Sequence, residues 1–412
     1  MKGISHAIRK KSIFPLGIIL ESDQYRIEGK SDISFERSAR DEWLKEWTAD
    51  LLIYLKKLVR LVVKNNTYDF KTSKEINVQA IRHTESLMDL GCQAFNQFFE
   101  DSDAYDFLTK RIDFYQRKNL NVSPFFWSRK LPYPWELFYP REITGDGDPF
   151  SFFWGMRYPL SRNLTKYPFE YHVDEQHPEC DMLFALHKNL VHARRDEWPG
   201  LKKITGSLDK SGTIKIVGGE IGLYLDDENA CDARDLLKYL YRSTHNMIHF
   251  ACHCKRKGND DMLQLSWIEN NSHISDEGIS GTVASINLSP RTFLRQHGAF
   301  LEQRPLVFIN ACRSIGEIDD VTVDFNIPGK FVGSKAAAVI ATMCSIPDLF
   351  AAAFAQKFYE IFLNEGIEIA EALRITRCYF WKKYNNPLGL AYGLYSSPFY
   401  KVRQAEMEEN II

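Results

Sequence analysis

The 412-residue sequence has no long hydrophobic run, because none of its apolar segments approaches the roughly 18 residues that a membrane-spanning helix needs. It also has no excess of charge of either sign, since 52 basic and 54 acidic residues leave a formal net charge of −2. That balance removes the electrostatic reason to expect nucleic acid or an anionic membrane as a partner. With 44% hydrophobic and 26% charged residues, the composition is that of a soluble globular protein of one large or two ordinary domains.

A recognisable secretion signal is also missing. The first twenty residues combine a basic start with an apolar stretch, as signal peptides do, but Pro15 and Gly17 interrupt this stretch. The polar segment Glu21–Gln24 follows where a cleavage site would need small residues. The eight cysteines are scattered without the tight spacings of a disulfide framework, which favours reduced thiols. We therefore expect a cytoplasmic protein.

Two types of hydrophobic periodicity divide the chain. Apolar residues recur every three or four positions over residues 39–64, which predicts a long amphipathic helix, and a second helix is predicted over 73–99. We interpret the apolar face of the first helix as core packing, with a groove for a partner as the alternative. From about residue 180, predicted strands alternate with predicted helices. This alternation is typical of an α/β fold with a mostly parallel sheet flanked by helices on both faces.

Two of the predicted strands lead to reactive side chains. The segment 247–251 precedes His253, and the apolar run 306–309 leads through Asn310 and Ala311 to Cys312. Because active sites of such sheets lie at the carboxyl ends of the strands, we expect these two side chains to meet. A histidine upstream of an Ala-Cys segment at the end of a strand is the arrangement of a caspase-type cysteine peptidase.

The expected chemistry is nucleophilic catalysis by a thiolate. A nearby imidazole can accept the proton of a thiol and later protonate the leaving amine. The tetrahedral oxyanion needs fixed donors, for which backbone N–H groups at a tight turn are a common source. We expect the backbone N–H groups of Cys254 and Cys312 to serve as these donors. The alternative for Cys312 is a buried structural thiol.

The run Cys252-His253-Cys254 also invites interpretation as a metal site. Adjacent residues of a strand point to opposite faces, however, and zinc motifs normally separate their cysteines by two or more residues. We therefore expect no metal and, because no nucleotide-binding fingerprint is present, no cofactor. His249 lies deeper in the same strand, and we interpret it as a buried histidine behind the site.

From about residue 85 to its end, the sequence resembles the CHAT domain, a caspase-like peptidase domain. The segments that carry the resemblance, in order, are Pro134–Leu137, Ile248–His253, Phe308–Arg313, Gly333–Ile340, Ile346–Asp348 and Glu371–Leu373. The resemblance implies a caspase–haemoglobinase-like fold and a Cys–His dyad, carried here by Cys312 and His253. Two positions depart from the family pattern, since Cys254 replaces a usual Gly and Cys344 a usual Trp.

The resemblance also divides the chain into three regions. Residues 1–85 form an N-terminal strand and helix region with a candidate regulatory role, residues 86–175 the N-terminal part of the CHAT domain, and residues 176–403 its caspase-like catalytic part. No TPR pattern is visible. A sensing module would therefore be the first 85 residues or a separate chain.

Two acidic residues are candidates for substrate binding. Asp348 opens a predicted helix, where its ordinary role is that of an N-cap. Separases, which are related to this family, hold a substrate arginine with an Asp at the matching turn. Asp320 belongs to an acidic loop after Cys312, whose ordinary role is a solvated surface. We expect these two carboxylates to favour a basic residue in the substrate.

The resemblance implies a cysteine endopeptidase that cleaves a dedicated protein substrate in bacterial signalling or antiviral defence. The expected partners are this substrate and a regulatory or sensor protein, with neither nucleic acid nor a membrane. The first alternative is a catalytically silent CHAT-type interaction scaffold. The second is another thiol enzyme, such as an acyltransferase or amidase, which would need a small-molecule pocket.

Overall fold

The computed structural model describes residues 13–20, 24–27, 33–36, 41–99, 102–127, 133–140, 148–163, 176–177, 182–187, 190–207, 216–217, 233–242, 245–257, 260–268, 273–275, 278–280, 283–295, 298, 300, 304–311, 327–396 and 398–402. The strands are β1 (Ile13–Leu20), β2 (Gln24–Ile27), β3 (Ile33–Glu36), β4 (Asn121–Trp127), β5 (Ser161–Asn163), β6 (Gln176–His177), β7 (Met182–Leu186), β8 (Ile216–Val217), β9 (Met247–Lys257), β10 (Asp260–Ile268), β11 (His273–Ser275), β12 (Gly278–Ser280), β13 (Val283–Leu288), β14 (Leu306–Ala311), β15 (Ala338–Thr342), β16 (Tyr392–Ser396) and β17 (Lys401–Val402). The helices are α1 (Asp41–Asn65), α2 (Lys74–Phe98), α3 (Ser102–Arg117), α4 (Trp154–Arg157), α5 (Trp198–Ser207), α6 (Ala233–Arg242), α7 (Pro290–Arg295), α8 (Ile327–Gly333), α9 (Asp348–Glu365) and α10 (Ile369–Tyr384).

One large sheet connects most of these strands. Its order is β13-β10-β9-β14-β15-β16-β5-β4-β1-β2-β3, and β7 pairs with the first half of β9 and with β8. The four strands β7, β9, β14 and β15 are mutually parallel, and β16 then runs antiparallel to β15. The strands β5, β4 and β1 continue the sheet in parallel. The N-terminal strands therefore extend the sheet that contains β9 and β14, and the proposed division into three regions stays a prediction.

The centre of the sheet is covered by helices on both faces. Every residue of β14 and β15 is buried, as expected for parallel strands that lie between two helical layers. Phe308 of β14 packs against Tyr359 of α9, with ring centroids 5.6 Å apart. Phe250 of β9 points to the opposite face and packs against Phe331 of α8 at the same distance. The sequence prediction of an α/β fold with a mostly parallel sheet between helices is confirmed.

The N-terminal region contains the two longest helices of the described residues, α1 and α2, with 25 residues each. They begin and end within two residues of the predicted bounds 39–64 and 73–99, and they pack against each other. The predicted apolar face of α1 is core, because Leu51, Leu55 and Leu58 are all buried. Neither these two nor any other helix in the described ranges has the apolar length required to cross a membrane.

A buried ionic cluster joins the Pro-Trp-Glu-Leu segment to the sheet. Glu136 is completely buried and accepts hydrogen bonds from Arg162 of β5 and from Arg377 of α10. Arg377 also donates to the backbone carbonyl of Tyr392, the first residue of β16. Buried charges are tolerated only when they are paired and hydrogen-bonded in this way. The segment thereby fixes both the sheet and the helix that covers it.

Candidate active site

Two parallel strands, β7 and β14, end at the same level on either side of β9, which continues further. Leu186, the last residue of β7, lies opposite Ala251 of β9, and Asn310 of β14 lies opposite the same residue from the other side. His187 follows β7, and Cys312 follows β14. The last residues of β7 and β14 therefore lie side by side with Ala251 and Cys252 of β9, the level of a parallel sheet at which active sites are usually found.

The predicted nucleophile Cys312 lies outside the described residues, directly after β14. Its predecessor Ala311 is buried and lies opposite Cys252, the residue before the predicted base His253. The hydroxyl group of Thr342 donates a hydrogen bond to the carbonyl oxygen of Ala311. That bond holds the last residue of β14 against β15.

The predicted base His253 is half-buried and lies within β9. The strand continues to Lys257, whereas the sequence predicts an end near Cys252. The physical reason is β10, which pairs antiparallel with the second half of β9 and puts Gln264 opposite His253. The backbone at His253 is therefore supported by a strand neighbour.

The imidazole ring of His187 contacts the imidazole ring of His253. The ring centroids are 4.5 Å apart and the ring planes make an angle of 67°, which is an edge-to-face arrangement. The backbone N–H of His187 donates to the carbonyl oxygen of Ala251 across 2.8 Å. Only 4% of His187 is exposed. The residue is thus held against β9 beyond the end of its own strand.

The remaining predicted site positions are only partly described. Cys254 is half-buried and lies opposite Leu263 in the ladder between β9 and β10. Its role as an oxyanion donor, together with the backbone N–H of Cys312, stays a prediction. Asp320 and the acidic loop around it lie outside the described residues. Within the ranges that the structure describes, no three His, Cys, Asp or Glu side chains come together in a way that would hold a metal ion.

A small pocket opens at this edge of the sheet. It is lined by Cys252 of β9, by Asn310 and Ala311 of β14, and by the carboxyl-bearing residues Glu197 and Asp348. The structure therefore brings Asp348 to the end of β14, the strand that precedes Cys312 in the sequence. Glu197 contributes a second carboxylate that the sequence did not indicate.

The carboxylate of Asp348 binds a helix other than its own. Asp348 is the first residue of α9, Pro347 is the N-cap, and neither makes a side-chain capping bond to α9. Instead the Asp348 oxygens accept hydrogen bonds from the backbone N–H groups of His192, at 2.7 Å, and Ala193, at 3.1 Å. These groups belong to the first turn of a helical segment over residues 191–207, where N–H groups lack intrahelical partners. The prediction that Asp348 caps its own helix is wrong, because Pro347 is the N-cap and the Asp348 carboxylate binds the N–H groups of the neighbouring helical segment.

Burial raises the pKa of the Asp348 carboxyl above its ordinary value, and the nearby Glu197 adds to the increase. The backbone N–H donors of His192 and Ala193 favour the charged carboxylate and therefore offset part of this increase in pKa. The net direction is upward because withdrawal from water outweighs these bonds.

Glu197 lies in a π-helical turn, Ala193–Glu197, that leads into α5. Its side chain is 1% exposed and its Oε1 accepts a hydrogen bond from the amide of Asn310 at 2.9 Å. The same oxygen lies 2.9 Å from Nε2 of His249. Asn310 in turn accepts a hydrogen bond from the hydroxyl of Tyr392 at 2.8 Å. One buried carboxylate thus bridges β9 and β14, and π-helical turns are frequent at functional sites.

His249 is completely buried, which confirms its interpretation as a histidine behind the site. Its ring is stacked between Phe184 and Phe308, with centroid distances of 4.9 and 5.0 Å. Nδ1 lies 3.1 Å from the hydroxyl of Tyr359. Since both ring faces are covered and both nitrogens lie near polar atoms, His249 belongs to the support of the sheet.

Sequence reasoning missed His187 and Glu197. Active-site residues of parallel sheets lie at the carboxyl ends of the strands, which is how His253 was identified. The same reasoning could have found His187, because it follows the buried strand Met182–Leu186. Nothing in the local sequence marks Glu197, since its partners lie on β9 and β14, more than fifty residues away.

Comparisons with known proteins give one family and a few similar structures. A family model described as the CHAT domain matches residues 161–400. No relative among curated proteins matches the sequence.

Two crystal structures of the separase–securin complex from Saccharomyces cerevisiae are similar, with TM-scores of 0.49 and sequence identities of 10% and 8%. The alignments cover 95% and 94% of this chain and 30% of each matched chain. This chain therefore spans about 30% of the length of those chains. A further structure, described as a protease, has a TM-score of 0.42 and 8% identity, and the alignment covers 78% of this chain and 70% of that one.

Proposed function

Because the chain belongs to the CHAT domain family, whose fold is of the caspase-like protease type, we propose that it is a cysteine endopeptidase with Cys312 as nucleophile and His253 as general base. One observation carries the proposal. The strands β9 and β14 are neighbours in a register that pairs Cys252 with Ala311, and each predicted dyad residue directly follows one member of this pair. Proton transfer between a thiol and an imidazole requires the two groups to be close, and this register is compatible with that requirement.

In the proposed reaction, His253 removes the proton from the Cys312 thiol, and the thiolate attacks the carbonyl carbon of the scissile peptide bond. The backbone N–H groups of Cys254 and Cys312 stabilise the resulting oxyanion. The imidazolium of His253 then gives its proton to the leaving amine, and a thioester remains. Water hydrolyses this thioester with His253 again as the base, which regenerates the thiol and releases the second product.

The pocket beside the strand ends supports a preference for a basic residue before the cleaved bond. Two residues that carry carboxyl groups, Asp348 and Glu197, are among those that line it. Each oxygen of Asp348 accepts one backbone N–H and keeps capacity for another donor. We propose Asp348, together with Asp320 of the acidic loop, as the groups that pair with a substrate Arg or Lys.

The wider role follows from the family. We propose a dedicated protein substrate rather than broad digestion, in bacterial signalling or antiviral defence within the cytoplasm. A regulatory or sensor protein would control access to the dyad, and residues 1–85 are the candidate region for its binding. Neither nucleic acid nor a membrane is part of the proposal.

The alternative is a catalytically silent scaffold of the same family. It is favoured by one departure from the family pattern, since Cys254 stands where Gly is usual and its side chain is half-buried beside the site. A scaffold has no reason to keep Cys312 as a thiolate. Selective alkylation of Cys312 below the ordinary thiol pKa therefore separates the two functions.

The direct test incubates the purified full chain with the protein products of its neighbouring genes. We expect one clipped product that Cys312→Ala does not produce. The matched control is Cys92→Ala, which removes a thiol from α2, a helix that carries none of the proposed site residues. If no product forms and Cys312 shows no selective alkylation, the peptidase proposal is wrong and the scaffold function stands.

A further inference from the structure

We propose that His187 is a positioning residue that holds the imidazole of His253 in the orientation needed for proton transfer. The inference rests on the proposed function, since it assumes that His253 is the base. His187 is not proposed to exchange protons with the substrate. Its role is to restrict the ring of His253 through an aromatic contact.

The need for such a residue follows from general chemistry. A catalytic base works when a third group fixes its orientation relative to the nucleophile. A histidine side chain that is free to rotate must be ordered in every reaction cycle, which costs conformational entropy. His253 is half-buried, so the surrounding core does not enclose its ring completely.

His187 is suited to this task by its place in the fold. It follows β7, which is the parallel neighbour of the histidine strand β9. Its backbone N–H donates to the carbonyl of Ala251, two residues before His253, across 2.8 Å. The bond fixes the backbone of residue 187 relative to the backbone that carries the base.

The side chains complete the arrangement. The two imidazole rings meet edge to face with centroids 4.5 Å apart, which is at the short end of favourable aromatic distances. His187 is 4% exposed, whereas His253 is half-buried. The buried His187 ring therefore provides a fixed packing surface, and the more accessible His253 ring packs against it.

A purely structural histidine would produce the same burial, so the test needs a readout at the dyad. We choose the rate at which iodoacetamide alkylates Cys312, followed by mass spectrometry of the peptide that contains it. This assay needs no substrate. The ratio of the rates at pH 6 and pH 9 reports the imidazolium–thiolate pair, because an isolated thiol reacts slowly at pH 6.

Three variants of the full chain separate the outcomes. His187→Leu has a side chain of similar size without an aromatic ring, and His187→Phe keeps a ring. The control is His83→Ala on α2, whose ring lies against Tyr54, away from the sheet edge. Thermal melting identifies an assay temperature at which every variant is folded. The alkylation rate of Cys92 in the same sample corrects the Cys312 rate for differences in reagent and protein concentration.

We expect His187→Leu to alkylate Cys312 at pH 6 about tenfold more slowly than wild type, because a displaced base loses its alignment with the thiol. We expect His187→Phe to recover most of the rate and His83→Ala to match wild type. A folded His187→Leu with the wild-type ratio, or a folded His187→Phe as slow as His187→Leu, would overturn the proposal.

Failure of the dyad itself gives a different pattern. If Cys312 in the wild type reacts at pH 6 no faster than Cys92, and His253→Ala leaves that rate unchanged, the proposed function is wrong and this inference is overturned with it. If the wild type shows the fast reaction and His253→Ala loses it, the dyad stands. The His187 variants then decide the positioning role alone.

Discussion

The side-chain amide of Asn310 donates a hydrogen bond to Oε1 of Glu197 across 2.9 Å, and both residues are at least 95% buried. Asn310 lies two residues before Cys312 at the end of β14, and Glu197 lies in the π-helical turn that precedes α5. The bond therefore joins the end of the cysteine strand to the helical segment that also receives the Asp348 carboxylate. Hydrogen bonds between polar groups, and not apolar packing alone, therefore connect the elements at the candidate site.

We expect Glu197→Ala to lower the free energy of unfolding by about 2–4 kcal/mol, because it leaves the buried amide of Asn310 without its acceptor and removes the carboxylate that lies beside His249. Glu197→Gln keeps an acceptor oxygen of similar reach and should cost about 1 kcal/mol or less. Urea denaturation at constant pH measures both.

The control for this prediction is Glu360→Ala on the half-exposed ion pair with Lys357, where we expect a change of at most about 1 kcal/mol. A Glu197→Ala protein as stable as the control would mean that the network contributes little and that the strand ends are held by packing alone.

The sequence predicted the elements of the fold better than their pairing. The helices α1 and α2 have strong local periodicity and β14 is marked by an apolar run, so their bounds were predictable. The position of β1 beside β4 was not, because about one hundred residues separate the two strands and no local pattern records the contact. The extension of β9 to Lys257 depends on β10 in the same way.

At the candidate site, the sequence indicated residue types but not their contacts. Because active sites lie at the carboxyl ends of parallel strands, the sequence predicted that the residues after the two apolar segments of β9 and β14 meet. The same reasoning applies to His187 after β7. The partner of Asp348 was not predictable, since an acidic residue at the start of a helix usually caps that helix. Here the N–H groups of His192 and Ala193 come from a segment about 155 residues away, and only the tertiary packing brings them to the carboxylate.

Cys312→Ala and His253→Ala should each abolish cleavage of the protein substrate, because the first removes the nucleophile and the second removes the base. Cys312→Ala should change the melting temperature by only a few degrees, since it deletes a single thiol. Gel analysis of the substrate and a thermal melt measure the two effects. Ordinary turnover by either variant would exclude this dyad.

Activity should survive a chelator and be lost on treatment with iodoacetamide, because the proposed chemistry needs a thiolate and no metal. Metal analysis of the purified protein accompanies the assay. Stoichiometric zinc whose removal abolishes cleavage would contradict the prediction.

The raised pKa of Asp348 gives a pH dependence of stability with a definite sign. Between the unfolded-state pKa, near 3.8, and the higher folded-state pKa, the folded protein holds a proton that the unfolded chain has released. Stability from this group is therefore complete below pH 3.8 and is lost as the pH rises through the folded-state pKa. Relative to Asp348→Asn, the melting temperature of the wild type should fall as the pH rises from about 4 and then level off; a difference that is constant with pH would contradict the shift.

Asp348 should also determine which residue precedes the cleaved bond. A charge-assisted contact between its carboxylate and a substrate Arg is worth about 1.5–3 kcal/mol, which corresponds to roughly tenfold to 150-fold in specificity. Asp348→Asn removes the charge, but it also leaves only one oxygen for the N–H groups of His192 and Ala193, so it should cost about 1 kcal/mol of stability. A lower rate on one substrate would therefore not identify the cause.

The ratio of kcat/KM for two matched substrates distinguishes loss of the charge pairing from loss of stability. The substrates share the natural cleavage site and differ only in Arg or Leu before the cleaved bond. Loss of stability or of site geometry lowers both rates together and leaves the ratio unchanged, whereas loss of the proposed pairing lowers only the rate on the Arg substrate. We expect Asp348→Asn to reduce the Arg-to-Leu ratio by at least about tenfold.

The same measurement on Asp320→Asn assigns any remaining preference to the acidic loop. If the natural site has an apolar residue at this position, or if Asp348→Asn keeps the wild-type ratio, then Asp348 serves only to hold the helical segment at residues 191–207, and the preference for a basic substrate residue must be abandoned.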